Sequence, residues 1–181
     1  MAKPTNPRLP RKPKSPGPAS KKAAPWGFID SDQLAKKITA VMLPRWQKGA
    51  AKTLYFGDGK YYCPPLNEAL GLLESGRSEF LKWTKNIFDC DDFAFVLKAH
   101  FCRSAFHNGQ RTCPYCFGIV WKNKPIRHAM NWIVYRDRNP KTGGGGQFVF
   151  ALVEPQNIGQ PGLQVIRPVA ATDGDFYFVT A

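Results

Sequence analysis

The sequence lacks any apolar run long enough to cross a membrane. A spanning helix needs about 20 consecutive apolar residues, and no run in the 181 residues approaches that length. The basic N-terminus also lacks the apolar stretch of about 7–15 residues that marks a secretory signal. We therefore expect no transmembrane segment and no conventional secretion, with a cytoplasmic or virion-associated location favoured over a secreted one. The length predicts one domain with an appended tail.

Residues 1–25 contain no acidic residue. They hold seven lysine and arginine residues and seven prolines, in a chain whose formal net charge is +13. Such a composition cannot bury a core, so it predicts a disordered, basic, proline-rich tail ahead of a folded domain at 26–181. Basic tails bind polyanions by releasing counterions. Contact with nucleic acid or an anionic surface is therefore one interpretation of the tail, and a solubilising leader is the other.

The chain has an odd number of cysteines. Five cysteines cannot all pair within one chain, and without a secretory signal a disulfide framework is a poor interpretation. Cys113 and Cys116 have C-x-x-C spacing, but redox chemistry needs the first cysteine at a helix N-terminus, whereas a predicted strand follows this pair. Zinc binding with Cys102 and His107 is a further interpretation, although structural zinc sites usually show two close ligand pairs. A turn with two buried or reduced thiols is favoured.

The periodicity of apolar residues predicts helices first and strands afterwards. Helices are predicted from Ser31 or Asp32 as cap to Pro44, from Leu66 to about Glu74, and over 90–107. Aromatic residues around Asp58-Gly59 predict a short hairpin at 55–62. Alternation predicts strands over 117–122, 128–136, 147–154, 164–169 and 176–179. This order implies an α+β domain with an antiparallel sheet.

Cys90 lies at the first turn of the third predicted helix. The amides and partial positive charge of a helix N-terminus stabilise a thiolate, and a backbone N–H there can bind an oxyanion. Asp89, Asp91 and Asp92 act against this, because nearby negative charge raises the pKa of a thiol. A divalent cation that prefers oxygen ligands, Ca²⁺ or Mn²⁺, would neutralise Asp91 and Asp92. The alternative is that they are solvent-facing helix caps.

The partner of Cys90 is predicted to be His128. If the strands at 128–136 and 147–154 pair with residue numbers that sum to about 282, His128 lies opposite Glu154 and the carboxylate can orient the imidazole. His100 and His107 follow Cys90 on its own helix, roughly 15 Å and 25 Å further along the axis, so neither can reach the thiol.

Three segments closely resemble the C-terminal protease domain of Marasmius oreades agglutinin and its relatives. They are Phe88-Asp89-Cys90-Asp91-Asp92-Phe93-Ala94, His128-Ala129-Met130-Asn131 and Glu154-Pro155-Gln156-Asn157. The resemblance implies a papain-like fold, in which a central helix carries the cysteine and a sheet carries the histidine and glutamate. It implies a catalytic triad of Cys90, His128 and Glu154, and a role for Trp83 in the oxyanion site or cleft wall. It also implies Ca²⁺ or Mn²⁺ as cofactor, with ligands drawn from Asp91, Asp92, Gln156 and Asn157.

The expected function is therefore that of a metal-dependent cysteine endopeptidase acting on protein or peptide substrates. A transglutaminase-like acyl transferase is the nearest enzymatic alternative. A nucleic-acid-associated or virion structural protein that works through its basic tail is the alternative from another class. Residues 1–65 are too short for a lectin domain and show no trefoil repeat, so the resemblance does not imply carbohydrate targeting.

Overall fold

A computed structural model describes residues 27–49, 53–77, 82–85, 87–108, 112–137 and 146–181. The predicted tail at 1–25 lies outside the described residues. The described elements, in chain order, are β1 (Phe28–Asp30), α1 (Ser31–Met42), β2 (Thr53–Tyr55), β3 (Lys60–Tyr62), α2 (Leu66–Ser75), α3 (Cys90–His107), β4 (Phe117–Lys124), β5 (His128–Asp137), β6 (Gln147–Val153), β7 (Ile166–Arg167) and β8 (Gly174–Thr180). None of the described helices is both long and apolar enough to cross a membrane.

Six strands form the main sheet, in the order β2-β8-β4-β5-β6-β7, and β1 pairs with β3 in a separate two-stranded sheet. The central strands β4 and β5 are almost entirely buried, as expected for strands covered on both faces. One face packs on a core cluster that includes α1 and β3, and the other face packs on a cluster that includes α2 and α3. The sheet therefore separates two layers, and the strand β5 contributes to both.

Two polar side chains fix α3 to the sheet. The amide nitrogen of the buried Asn131 on β5 donates to the carbonyl of Ala94 at 3.0 Å and to that of Gly118 at 3.1 Å. The Lys98 ammonium donates to the Phe117 carbonyl at 2.6 Å. Because a buried polar group is costly to leave unpaired, these bonds favour one position of the helix on the sheet. They set where Cys90, the first residue of α3, meets the start of β5.

Two predictions about strand pairing are wrong. The hairpin at 55–62 does not form, because β2 pairs in parallel with β8 while β3 pairs with β1. The sheet is consequently mixed, whereas the predicted papain-like α+β fold had an antiparallel sheet. Local turn chemistry favours a hairpin, but a β2–β8 pairing across more than 120 residues is decided by the core.

The helix boundaries agree more closely with the sequence. The third helix spans Cys90–His107, as predicted, and the second spans Leu66–Ser75. The first begins at Ser31, but its N-cap is Asp30 rather than the predicted Ser31 or Asp32.

Candidate functional site

The Cys90 thiol lies where the start of α3 meets the start of β5. The backbone N–H of Ala129 donates to the Cys90 sulfur at 3.4 Å. Cys90 itself is partly exposed. A helix N-terminus and a strand amide therefore both direct N–H groups at this sulfur, which is an arrangement that favours negative charge there.

His128, the residue before Ala129, is hydrogen-bonded to Glu154. The His128 Nε2–H donates to the Glu154 Oε2 at 2.6 Å, and both side chains are mostly buried. Such a bond fixes the orientation of the imidazole and leaves its Nδ1 atom available for another partner. The other Glu154 oxygen, Oε1, is buried without a hydrogen-bond partner in the part of the chain that the structure describes.

The contact arises from a different strand register than the sequence suggests. The β5–β6 pairs run from Asn131 with Val153 to Asp137 with Gln147, so their residue numbers sum to 284 rather than 282. His128 and Glu154 therefore lie beyond the last β5–β6 pair. A shift by two residues keeps side chains on the same face, and for that reason the two groups still meet. The backbone N–H of Glu154 donates instead to the carbonyl of Val165.

The electrostatic surroundings raise the pKa of the Cys90 thiol. Burial is the largest cause, and the carboxylates of Asp89 and Asp91 add to it, while the N–H groups of Ala129 and Cys90 act in the opposite direction. The pKa of Asp91 is also raised, first by its side-chain hydrogen bond with Asp89 and then by burial. The protein alone therefore does not offset the negative charge around Cys90.

The residues around Cys90 fit a hard divalent cation in part. Potential ligand atoms of Asp89, Cys90 and Asp91 lie within 4.8 Å of one another, and carboxylate oxygen suits Ca²⁺ or Mn²⁺. Asp92 instead accepts from the Asp89 N–H as part of the helix cap. The turn Pro155–Asn157, which carries Gln156, packs against α3. Asn157 uses its amide nitrogen on Gln164, which leaves its carbonyl oxygen as a potential ligand.

The structure also describes the surroundings of the remaining residues singled out in the sequence. Trp83 is half exposed in the segment that leads into α3, so its role in a cleft stays a prediction. The His100 ring contacts the Ser75 hydroxyl of α2 at 3.1 Å. His100 is ten residues after Cys90 on α3, as the sequence indicated. His107 is exposed at the end of α3. Cys113 and Cys116 precede β4 rather than a helix.

Three roles were missed from the sequence: the Ala129 N–H on the Cys90 sulfur, the Asn131 amide that holds α3 on the sheet, and the Asp89 carboxylate as a potential metal ligand. An available signal was Asn131, a polar residue in an otherwise apolar stretch of a predicted strand, because buried amides are usually kept to make specific bonds.

A separate open cavity of about 450 Å³ lies at the other end of β5. Its lining residues are Pro65, Leu66, Asn67, Leu70, Arg136 and Asp137. The Arg136 Nε–H is buried and has no hydrogen-bond acceptor among the described residues. Arg136 follows His128 by eight residues in β5, so the cavity is roughly 26 Å from His128 along the strand.

Comparison with known proteins connects this chain with agglutinins. Residues 71–142 match the model of the agglutinin C-terminal family, which confirms the predicted resemblance. No curated protein matches the chain.

Two solved structures share the fold. One is described as the PSL1a-E64 complex, with a TM-score of 0.66 and 21% identity. The other is a Polyporus squamosus lectin described as bound to the human-type influenza-binding epitope Neu5Acα2-6Galβ1-4GlcNAc, with a TM-score of 0.58 and 19% identity. Each match covers 85% of this chain, and the chain spans about half the length of each neighbour (50% and 49%).

These comparisons overturn the predicted function. The matched family is an agglutinin family and a structural neighbour is a lectin described with a bound glycan, and neither is described as a peptidase. The predictions of a papain-like fold, of a metal-dependent cysteine endopeptidase and of a protein or peptide substrate are accordingly corrected.

Proposed function

We propose that this chain binds a glycan as an agglutinin-type domain. The observation that supports the proposal is the shared fold with a lectin described as bound to a sialylated trisaccharide. This reverses the expectation that no carbohydrate targeting is implied. A domain of this kind needs a concave site with a few polar groups that fix the orientation of the sugar.

The cavity at the end of β5 offers suitable chemistry for an acidic sugar. Leu66 and Leu70 supply apolar walls for the C–H faces of a pyranose ring, and Asn67 and Asp137 supply amide and carboxylate groups for its hydroxyls. The Arg136 guanidinium can bind a carboxylate through charge-assisted hydrogen bonds. A sialic acid carries such a carboxylate, so the cavity fits the terminal residue of the sialylated trisaccharide.

Calorimetric titration with Neu5Acα2-6Galβ1-4GlcNAc, and with the same glycan lacking sialic acid, tests this proposal. We expect the sialylated glycan to bind more tightly, and Arg136→Ala to weaken its binding by roughly 10–100-fold, the range of a lost hydrogen bond to a charged group. Arg103→Ala is the matched control, because Arg103 is an exposed arginine on α3 outside the cavity. If the wild-type chain binds neither glycan, the proposed function is wrong. If Arg136→Ala binds as the wild type does, only the assignment of the cavity is wrong.

We also propose that Cys90, His128 and Glu154 form a reactive thiol site with an adjacent cation. The support is the 2.6 Å contact between His128 and Glu154 and the Ala129 N–H on the sulfur. A histidine oriented in this way can accept the proton of a thiol. Ca²⁺ or Mn²⁺ bound here would offset the local negative charge. The predicted ligands are Asp91, Asp92, Gln156 and Asn157. Asp89 is a further candidate, because its carboxylate lies close to that of Asp91.

The rate of alkylation of Cys90 by iodoacetamide at fixed neutral pH tests this second proposal. We expect His128→Asn to slow the reaction by at least about 10-fold, within the range of a positioned base. We expect added Ca²⁺ or Mn²⁺ to accelerate it in the wild type but not in Asp91→Asn. The exposed Cys102 is an internal control in every variant. Equal Cys90 rates in the wild type and His128→Asn would contradict the histidine's role, and a metal effect that survives in Asp91→Asn would contradict the ligand assignment.

A further inference from the structure

Cys63 and Cys116 lie side by side in the core. Tyr62 and Tyr115 form a parallel bridge, in which the Tyr62 N–H donates to the Pro114 carbonyl at 2.8 Å and the Cys116 N–H donates to the Tyr62 carbonyl at 2.7 Å. In a parallel pair the residues that follow a bridge are also opposite each other. Cys63 is therefore the neighbour of Cys116 across two adjacent backbones.

The side chains confirm this alternation. The rings of Tyr62 and Tyr115 contact each other with centroids 5.9 Å apart, on the face that packs with α2 and α3. Successive side chains of an extended segment point to opposite faces. Cys63 and Cys116 accordingly belong together to the other core cluster, and each has 0% exposure. Burial, followed by the neighbouring Cys63 thiol, raises the pKa of Cys116 well above its ordinary value.

We infer that Cys63 and Cys116 are a disulfide-forming pair, through which the β1–β3 layer is covalently joined to the central sheet. Neighbouring backbones in a sheet lie about 4.7–4.9 Å apart, inside the Cα separation of about 4.4–6.8 Å that a disulfide requires. The pairing is independent of the glycan and thiol-site proposals, since neither uses Cys63 or Cys116. It also modifies the expectation from the odd cysteine count, because the proposed bond uses two of the five cysteines, both of them thiols in this structure, and does not involve Cys90.

The bond forms by exchange with a low-molecular-weight disulfide such as oxidised glutathione. One cysteine thiolate attacks the glutathione disulfide, which forms a mixed disulfide and releases one glutathione thiolate. The second cysteine thiolate then attacks the mixed disulfide and releases the other. The protein thereby loses two protons and two electrons, and oxidised glutathione is reduced to two molecules of glutathione. Because both thiols are fully buried, the exchange takes place before the core closes, during folding.

Refolding of the full chain with reduced and oxidised glutathione tests the inference. After alkylation of the remaining thiols and digestion, we expect a linked Cys63–Cys116 peptide whose mass is lower than the sum of its parts by two hydrogen atoms. Three cysteines should be alkylated. Five alkylated cysteines, or a predominant Cys113–Cys116 link, would overturn the inference.

Variants and stability give a second readout. Cys63→Ala should abolish the link, whereas Cys102→Ala, at an exposed cysteine, should retain it. The linked wild type should melt roughly 5–10 °C above the reduced wild type, as expected for a disulfide that closes a long loop. A lower Tm of the linked form would show that the native geometry does not accommodate the bond, and so would overturn the inference even if the alanine variant does not fold.

Discussion

At the scale of single residues, the buried Asp173 carboxylate binds two cationic side chains and a backbone N–H. It is 3% exposed and accepts from the Lys122 ammonium at 2.6 Å, from the Arg167 guanidinium and from the Ala170 N–H. Lys122 is also buried. Removing one partner of a buried ion pair leaves the other charge uncompensated, which costs more than the pair itself contributes.

Asp173→Asn should therefore lower the free energy of unfolding by about 3–5 kcal/mol. The matched control is Asp175→Asn, which removes the partner of the exposed Lys124 and should cost less than about 1 kcal/mol. Urea denaturation at neutral pH measures both. Equal losses in the two variants would show that burial of the Lys122–Asp173 pair has no energetic consequence.

The ionisation of Asp173 should make the stability of the protein depend on pH. Burial raises its pKa, but the hydrogen bonds from Arg167 and Lys122 outweigh burial and hold the pKa well below its ordinary value. A carboxylate with a lowered folded-state pKa stabilises the protein above its unfolded pKa of about 3.9, and this contribution is lost as the pH falls towards the folded value. The wild type should thus lose more stability than Asp173→Asn between about pH 5 and pH 2.

At the scale of the elements, the start of α1 shows how a helix boundary is decided. The Asp30 carboxylate accepts from the Gln33 N–H at 2.7 Å, and the Gln33 side chain accepts from the Asp30 N–H at 3.3 Å. This capping box satisfies two backbone donors at once. Ser31 and Asp32 have suitable side chains for a cap, but only Asp30 stands three residues before a glutamine.

Asp30→Ala should lower the free energy of unfolding by about 1 kcal/mol, the usual cost of a lost N-cap. Asp30→Asn should preserve most of the stability because its amide oxygen can accept the same bond. Asp32→Ala, at an exposed first-turn carboxylate, serves as the control and should cost only a few tenths of a kcal/mol. A larger loss in Asp32→Ala than in Asp30→Ala would contradict the assigned cap.

At the scale of the whole molecule, the local elements were predictable and their partners were not. Helical spacing gave the span of α3, and alternation gave β4, β5 and β6 to within about two residues. The pairing of β2 with β8 depends on residues far apart in the chain, and no local pattern reports it. The proximity of His128 and Glu154 was predicted on a register two residues from the observed one, and it survived because the error preserved the face.

The sequence by itself determined the helices, most strands, the position of Cys90 at a helix start and the agglutinin resemblance, because each depends on residues close together or on a recognisable motif. Only the tertiary structure decided the mixed sheet, the meeting of Cys63 with Cys116 and the cavity at Arg136. These features join segments that lie between about 50 and 130 residues apart in the chain, and burial of the two core clusters brings such segments together without a local signal.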